Sequence, residues 1–409
     1  VKKMDFELSE EQLMIKESAR EWCNRHMPFD RIREMEINGY PYPKDIPKGL
    51  GEQGFIMGVV PEEHGGLGLD WLTQSLISEE IGYADPTIAT AAAFMAVGTG
   101  WGFVIDKFAS EEIRDNFIRP AIKGEKFVGI ASTEPSGGSD VANHKSNARK
   151  VGDEWVLNGE KTFISGVEEA REWGGGYWTN VRTGDPSGGA SHKHMTAFFV
   201  PVDSEGFHPD VPYRDAGRHS LSTSGFRMEN VRVPENYMLG KENKGFYGTM
   251  EGFDNARILI AASAVGVTER LLDVAMEYIK ERHTFGKPLA KYEGIQFELV
   301  KLYREMEATR LLCYKTAWMQ DKRYQEGKYK PKEVAKWISM IKWKAPHLAL
   351  KAANQTMHWL GAAGYTDEYP IEMAWRGVMS YCVGAEGGAN IQKIVIGREL
   401  LGPEYIPYR

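Results

Sequence analysis

Cysteine is scarce: Cys23, Cys313 and Cys382 are the only three in 409 residues. They lie far apart without CxxC spacing, which excludes a disulfide framework and a thiolate zinc site and points to a reducing compartment. Positive charge is also in deficit. Lys and Arg number 50 against 57 Asp and Glu, a net charge of -7, so no basic field is available to hold a nucleic-acid backbone. Long apolar runs are missing. None reaches the roughly eighteen residues of a membrane span, and the start VKKMDFELSEEQ has no apolar stretch of the kind a secretory signal carries. A cytoplasmic protein without nucleic-acid or membrane partners is expected. Internal repeats and low-complexity segments are absent too. What remains, 42% hydrophobic and 26% charged residues, is the balance of a globular chain long enough for two or three domains.

The texture of the chain changes twice. Residues 1–125 are rich in helix formers, with apolar residues at helical spacing in ELSEEQLMIKESAREWC and DWLTQSLISEEIGYA. Ser9, three residues before Gln12, predicts a capping box on the first helix. Across residues 126–240, β-branched and aromatic residues come in short runs: FVGIAST, EWVLNGEKTFIS, YWTNVRT, MTAFFVPV and GFRMENVRVP. Gly, Asn, Asp and Pro separate them, which predicts a β domain. Residues 241–409 return to helical patterns from Asn255 onward, three of them close to thirty residues long, then two shorter ones near Ile371–Tyr381 and Asn390–Leu400. Long antiparallel helices with Gly286, Lys287 and Pro288 as a stop predict a bundle. The expected class is α+β: a helical N-terminal domain, a β-barrel or sandwich middle domain, and a C-terminal four-helix bundle.

Four segments have the composition of a site, and each has an ordinary reading beside it. ASTEPSGGSD, Ala131–Asp140, follows a predicted strand and is small enough for backbone amides to approach a ligand; a plain turn loop has the same composition. ERHTFGKP, Glu281–Pro288, sets cations at a helix end, where the helix dipole alone favours them. FDNAR, Phe253–Arg257, places an acid and an arginine three apart at the start of a long apolar helix. Such a pair serves a ligand or forms a surface ion pair. In GAEGGANIQK, Gly384–Lys393, Glu386 stands among small residues just before a helix. An apolar setting raises a carboxyl pKa, as a general base near neutrality requires; a helix N-terminal acid has the same signature.

Seven segments, in order, resemble the acyl-CoA dehydrogenase family over essentially the whole chain: VPEEHGGLGLD, ASTEPSGGSD, NGEKTFISG, FDNARILIAASAVG, ERHTFGKPLAKYEGIQF, GAAGYTDEYPIE and EGGANIQKIVIGRELLG. The resemblance implies FAD as cofactor, an acyl-CoA substrate, electron-transfer flavoprotein as electron acceptor and a homotetramer. It places the flavin against Ile130, Ser132, Thr133, Gly138 and Ser139, and against Phe163, Ile164 and Ser165, which stand where the family has W-I-T. Gly388 and Asn390 are further cofactor positions. Arg282, Thr284 and Phe285 resemble residues that reach FAD from a neighbouring subunit. His358 replaces a usual Gln ahead of Gly361 and Ala362, and Glu293 replaces another.

For the thioester, the resemblance implies contacts from Ser139, Asp254, Arg257, Gly387 and Arg398. Glu386, by its EGxxxIQ context, matches the family's catalytic base, although counting forward from Arg376 lands on Ala385 and implies a one-residue insertion. The position that carries the base in some relatives is Ala256 here. The implied reaction is proton removal from Cα by Glu386 and hydride transfer from Cβ to the flavin, giving a 2-enoyl-CoA. Small residues, Gly384 and Ala385 before the base and the ATAAAFMAVGTG stretch at 89–100, leave room for a wide acyl group. Branched, cyclic or aromatic acyl chains are expected, benzylsuccinyl-CoA among them. An enoyl-CoA reductase working in reverse and a non-catalytic CoA-binding scaffold are the alternatives. AREWGGGYW, Ala170–Trp178, is longer than the usual family turn.

Overall fold

The computed structural model describes residues 6–184 and 191–407. The outermost ends of the first and third expected domains, including the VKKMD start, lie outside the described residues. Ser9 caps the Glu10–His26 helix with the reciprocal pair of bonds to Gln12 that its sequence predicts. Helices Phe29–Asn38, Asp45–Glu52 and Trp71–Ala84 follow. Trp71–Ala84 buries even Glu79 and Glu80, which pair with Lys16, Arg20 and Arg310 from two other helices. Next comes Ala91–Trp101, a wholly buried segment wound as a π-helix.

Seven strands make one curled sheet: β1 Phe127–Ala131, β2 Asn147–Val151, β3 Glu154–Ser165, β4 Gly175–Arg182, β5 Met195–Pro201, β6 Phe207–Pro209 and β7 Thr223–Pro234. Their order is β1-β4-β2-β3-β7-β6, with β5 also paired to β4. β1 and β4 run parallel, and Trp155, Tyr177, Phe198, Phe199 and Phe226 fill the domain's core. The long AREWGGGYW segment resolves into the end of a helix, Val167–Trp173, and the start of β4. Buried Glu169 on that helix accepts bonds from the Tyr42 and Ser222 amides, tying the β domain to the N-terminal helices. Arg171 pairs with its own neighbour Glu168 at 3.1 Å.

The third region contains helices Gly245–Glu281, Glu293–Glu326, Pro331–Leu360, Ile371–Val383 and Ala389–Leu401. The first starts ten residues before Asn255, so Asp254 and Arg257 lie well inside it and not at its start. Its early glycines hid it in the sequence. A Cβ at Gly252 would sit 2.3 Å from the Trp101 ring and one at Gly248 would sit 2.6 Å from Trp178. Close packing against two tryptophans outweighs the roughly 1 kcal/mol that each glycine costs a helix. Glycine, lysine and proline at 286–288 form part of a small hairpin with His283–Thr284. Trp318 and Trp343 on the outer helices are 38% and 39% exposed. Trp337 is half-buried beneath the Lys315 ammonium, 3.7 Å from its ring centre. Among the described residues no helix is long and apolar enough to cross a membrane.

Candidate active site

A cleft of about 660 Å³ opens where the three regions meet. Ala92, Ala96 and Val97 come to it from the π-helical segment. The β domain supplies Ile130, Ser132, Thr133, Gly138, Ser139, Phe163, Ile164 and Ser165. The helical region supplies Phe253, Arg257 and the run from Val383 to Gly388.

Glu386 stands in the last of these walls. It and Gly387 both adopt left-handed backbone, φ 55° and 92°, a conformation uncommon for a residue with a side chain. Two donors hold that turn with three bonds: Arg257 Nε donates to the Glu386 carbonyl at 2.8 Å, and Gln392 Nε2 donates to the carbonyls of Gly387 at 2.8 Å and Glu386 at 3.3 Å. Arg257 is itself oriented by Asp254, three residues earlier on the same helix, at 3.0 Å. Trp101 Nε1 donates to the Glu386 carboxylate at 3.2 Å. Burial pushes the Glu386 carboxyl pKa up, and the Trp101 bond and the charges of Lys342, Arg257 and Arg218 only partly offset it. Lys342 lies buried behind this wall, its ammonium donating to the Tyr381 carbonyl at 2.6 Å while burial brings its pKa down to about 8. The arrangement is a proton acceptor of raised affinity with a fixed backbone. Ala256 is fully buried, with its Cα 2.7 Å from where a Gly100 Cβ would stand; an alanine offers no proton acceptor, so of these two positions Glu386 alone carries a carboxylate.

Across the cleft, the loop from Ser132 to Ser139 hangs on a buried ion pair. Lys161 Nζ donates to Glu134 at 2.8 Å, to the Asn180 carbonyl at 2.9 Å and to the Ser132 carbonyl at 3.3 Å. Burial alone would raise the Glu134 pKa, but Lys161 and the Lys145 and Ser146 amides outweigh it and bring it down to about 2. Beside the loop, β3 loses register with β7 between Lys161 and Ile164. This bulge re-aims its side chains: Phe163 takes φ 56° and turns out, 64% exposed, its ring 4.9 Å from Tyr213. Ser132 Oγ is buried in the cleft wall without a partner among the described residues. An unmet buried hydroxyl is costly, and a ligand with polar ring edges would satisfy it. The donors and small residues here fit the flavin that the sequence resemblance implies.

The cleft thus brings together the predicted residues from Ile130 to Ser165 with Arg257, Glu386, Gly387 and Gly388; Asp254 sits just behind Arg257. The others lie elsewhere. Arg282, His358, Gly361, Ala362 and Asn390 are exposed away from it, and Phe285 is 99% exposed on the small hairpin beside Thr284. Arg398 pairs with adjacent Glu399 at 2.9 Å. Sequence reasoning missed Trp101, Gln392 and Arg218. Gln392 had a signal, since a residue six after Glu386 on the following helix can cap the turn. Trp101 and Arg218 arrive from distant elements and had none.

Known proteins with this architecture are numerous. Residues 9–125, 129–231 and 243–401 match, in turn, the descriptions "Acyl-CoA dehydrogenase, N-terminal domain", "middle domain" and "C-terminal domain". A glutaryl-CoA dehydrogenase of Desulfococcus multivorans is 32% identical over 404 residues, covering 98% of each chain. A 3-(aryl)acrylate reductase of Clostridium sporogenes is 31% identical over 402 residues, covering 96% of this chain and 99% of that protein. The butyryl-CoA dehydrogenase structure from Megasphaera elsdenii superposes with a TM-score of 0.87 at 29% identity, covering 97% of this chain and 100% of that one.

Proposed function

The chain belongs to the acyl-CoA dehydrogenase family and is a flavin-dependent oxidoreductase, and from this we propose that it desaturates a bulky acyl-CoA, an aromatic one such as benzylsuccinyl-CoA, at Cα and Cβ. One observation carries the substrate reading: the lining of the cleft that holds Glu386 includes Ala92, Ala96, Gly384 and Ala385. Small side chains there leave width that a straight short chain would not fill, and unfilled apolar space weakens binding.

Glu386 takes the α-proton. A thioester α-proton is too weakly acidic for an exposed carboxylate, so the base must have raised proton affinity and a fixed position. Burial provides the first, and Trp101, Arg257 and Gln392 provide the second. Bound FAD supplies the hydride acceptor, which no side chain offers. Ile130, Ser132, Thr133, Gly138, Ser139, Phe163, Ile164 and Ser165 would hold its ring system. Arg282, Thr284 and Phe285, displayed on an exposed hairpin, would serve the cofactor of a neighbouring subunit in a homotetramer, and electrons would leave to an electron-transfer flavoprotein.

The relative that is a 3-(aryl)acrylate reductase favours a second reading, reduction of the enoyl thioester, with Glu386 returning the proton. Anaerobic flavin bleaching with butyryl-, 3-phenylpropionyl- and benzylsuccinyl-CoA tests the substrate claim. Ring-bearing thioesters should bleach at least tenfold faster; fastest bleaching by butyryl-CoA would refute it.

A further inference from the structure

Three arginines line the cleft, Arg218, Arg257 and Arg376. Two are occupied by the protein itself. Arg376 gives Nε and Nη2 to Glu372 at 2.7 and 3.0 Å, and Nη1 to Glu36 at 2.8 Å and the Ala216 carbonyl at 3.0 Å. Arg257 gives Nε to the Glu386 carbonyl and Nη1 to Asp254 at 2.8 and 3.0 Å.

Arg218 is different. Its Nη2 makes two contacts, both 3.4 Å, to Asp215 Oδ2 and Thr223 Oγ1. The same Asp215 oxygen already accepts the Thr223 hydroxyl at 2.6 Å. Arg218 Nε is buried with no partner among the described residues, and the side chain is only 10% exposed. That ion pair to Asp215 is long and engages one edge of the guanidinium, so burying the cation is expensive unless a ligand supplies a further anion. The backbone adds to this, for Arg218 sits at φ 64°, a left-handed conformation that surroundings must impose on a residue with a Cβ. The loop pays in strain to aim this side chain at the cleft that holds Glu386.

We propose that Arg218 receives a second carboxylate carried by the acyl group, so that the preferred substrate is the CoA thioester of a dicarboxylic acid. The proposal rests on reading the cleft as an acyl-CoA site. A guanidinium presents parallel N–H groups that match a carboxylate bidentately, and the free Nε edge is available for that pairing. A carboxylate there also leaves the base intact, because it neutralises a cation in place of adding a bare negative charge near Glu386. Neutral thioesters would leave the Arg218 Nε–H without an acceptor and bind more weakly, which makes the arginine a device of selection.

The test separates binding from turnover. Holoenzyme carrying Glu386→Gln, which does not remove the α-proton, is titrated calorimetrically with benzylsuccinyl-CoA and with glutaryl-CoA. Each is paired with the analogue whose free carboxylate is a carboxamide. At least one acid should bind 30-fold or more tighter than its amide. Adding Arg218→Gln should weaken that acid by a similar factor and the amide less than threefold, with flavin content and absorbance retained; Arg218→Lys should recover part of the preference. Equal affinity of acid and amide in both pairs overturns the proposal without using any Arg218 variant. So does an Arg218→Gln protein that loses flavin or weakens acid and amide alike, which would assign the guanidinium to the cofactor or the fold. Failure of the underlying dehydrogenase reading has another signature: no thioester would bleach the flavin of the unmodified enzyme.

Discussion

Lys161→Met breaks the ion pair on which the Ser132–Ser139 loop depends. Lys161 is completely buried and Glu134 is 4% exposed, so removing the ammonium strands a carboxylate in protein interior. Such losses cost about 3–5 kcal/mol. The depression of the Glu134 pKa from 4.5 to about 2 gives a compatible figure, about 3 kcal/mol at neutral pH. The sign follows from the direction. A folded-state pKa below the unfolded one stabilises at pH above about 4.5, and that contribution is lost as pH falls towards 2. At roughly 1 °C per kcal/mol for a chain of 409 residues, the midpoint of thermal unfolding should fall by about 3–6 °C at pH 7. The variant's midpoint should also depend less on acid than the parent's. Flavin should be retained poorly, because the loop beside it is no longer held. Lys161→Met combined with Glu134→Leu should recover most of the stability, since an apolar pair carries no stranded charge. Differential scanning calorimetry and flavin content after gel filtration check this. A midpoint within 2 °C of the parent, or a double variant no better than the single, would refute the reasoning.

Ala385→Tyr fills the wall before the base; kcat/KM for ring-bearing thioesters should fall at least tenfold while straight-chain ones lose little. Trp101→Phe removes the donor that lowers the Glu386 pKa, so the acidic limb of kcat/KM should move to higher pH; an unmoved limb contradicts the contact. Glu386→Gln should stabilise the apoprotein. Burial raises the folded pKa of this carboxyl, so its contribution is favourable below the unfolded value and is lost as pH rises through the folded one. Above that, the fold carries an unfavourable charge. Removing it should raise the unfolding midpoint at pH 8 and hardly at all at pH 4.5.

The three-part order was legible because periodicity and residue type report local structure directly: the Ser9 cap, the β-branched and aromatic run EWVLNGEKTFIS and the long helical patterns all appear where the sequence puts them. The Gly245–Glu281 helix began earlier than its pattern because Gly248 and Gly252 were chosen for contact with Trp178 and Trp101, a tertiary reason that no window of sequence contains. The helix at Val167–Trp173 was hidden for a related reason: its buried Glu169 looks like a surface residue until Tyr42 and Ser222 are brought to it. In the site, Glu386 was visible through its small neighbours and its motif. What fixes and tunes it comes from Trp101, 285 positions away, and from Arg257, 129 positions away. Arg218 carried no local mark, and only the cleft singles it out.

The central claim is that Glu386 is the base of a flavin-dependent desaturation. Mixing the oxygen-free holoenzyme with a thioester that bleaches it, in a stopped-flow spectrometer, tests this most directly. The account predicts that Glu386→Gln keeps its bound flavin and reduces it slower by a factor of about a thousand or more, since the amide retains the shape and lacks the proton acceptor. A loss below tenfold would contradict the assignment.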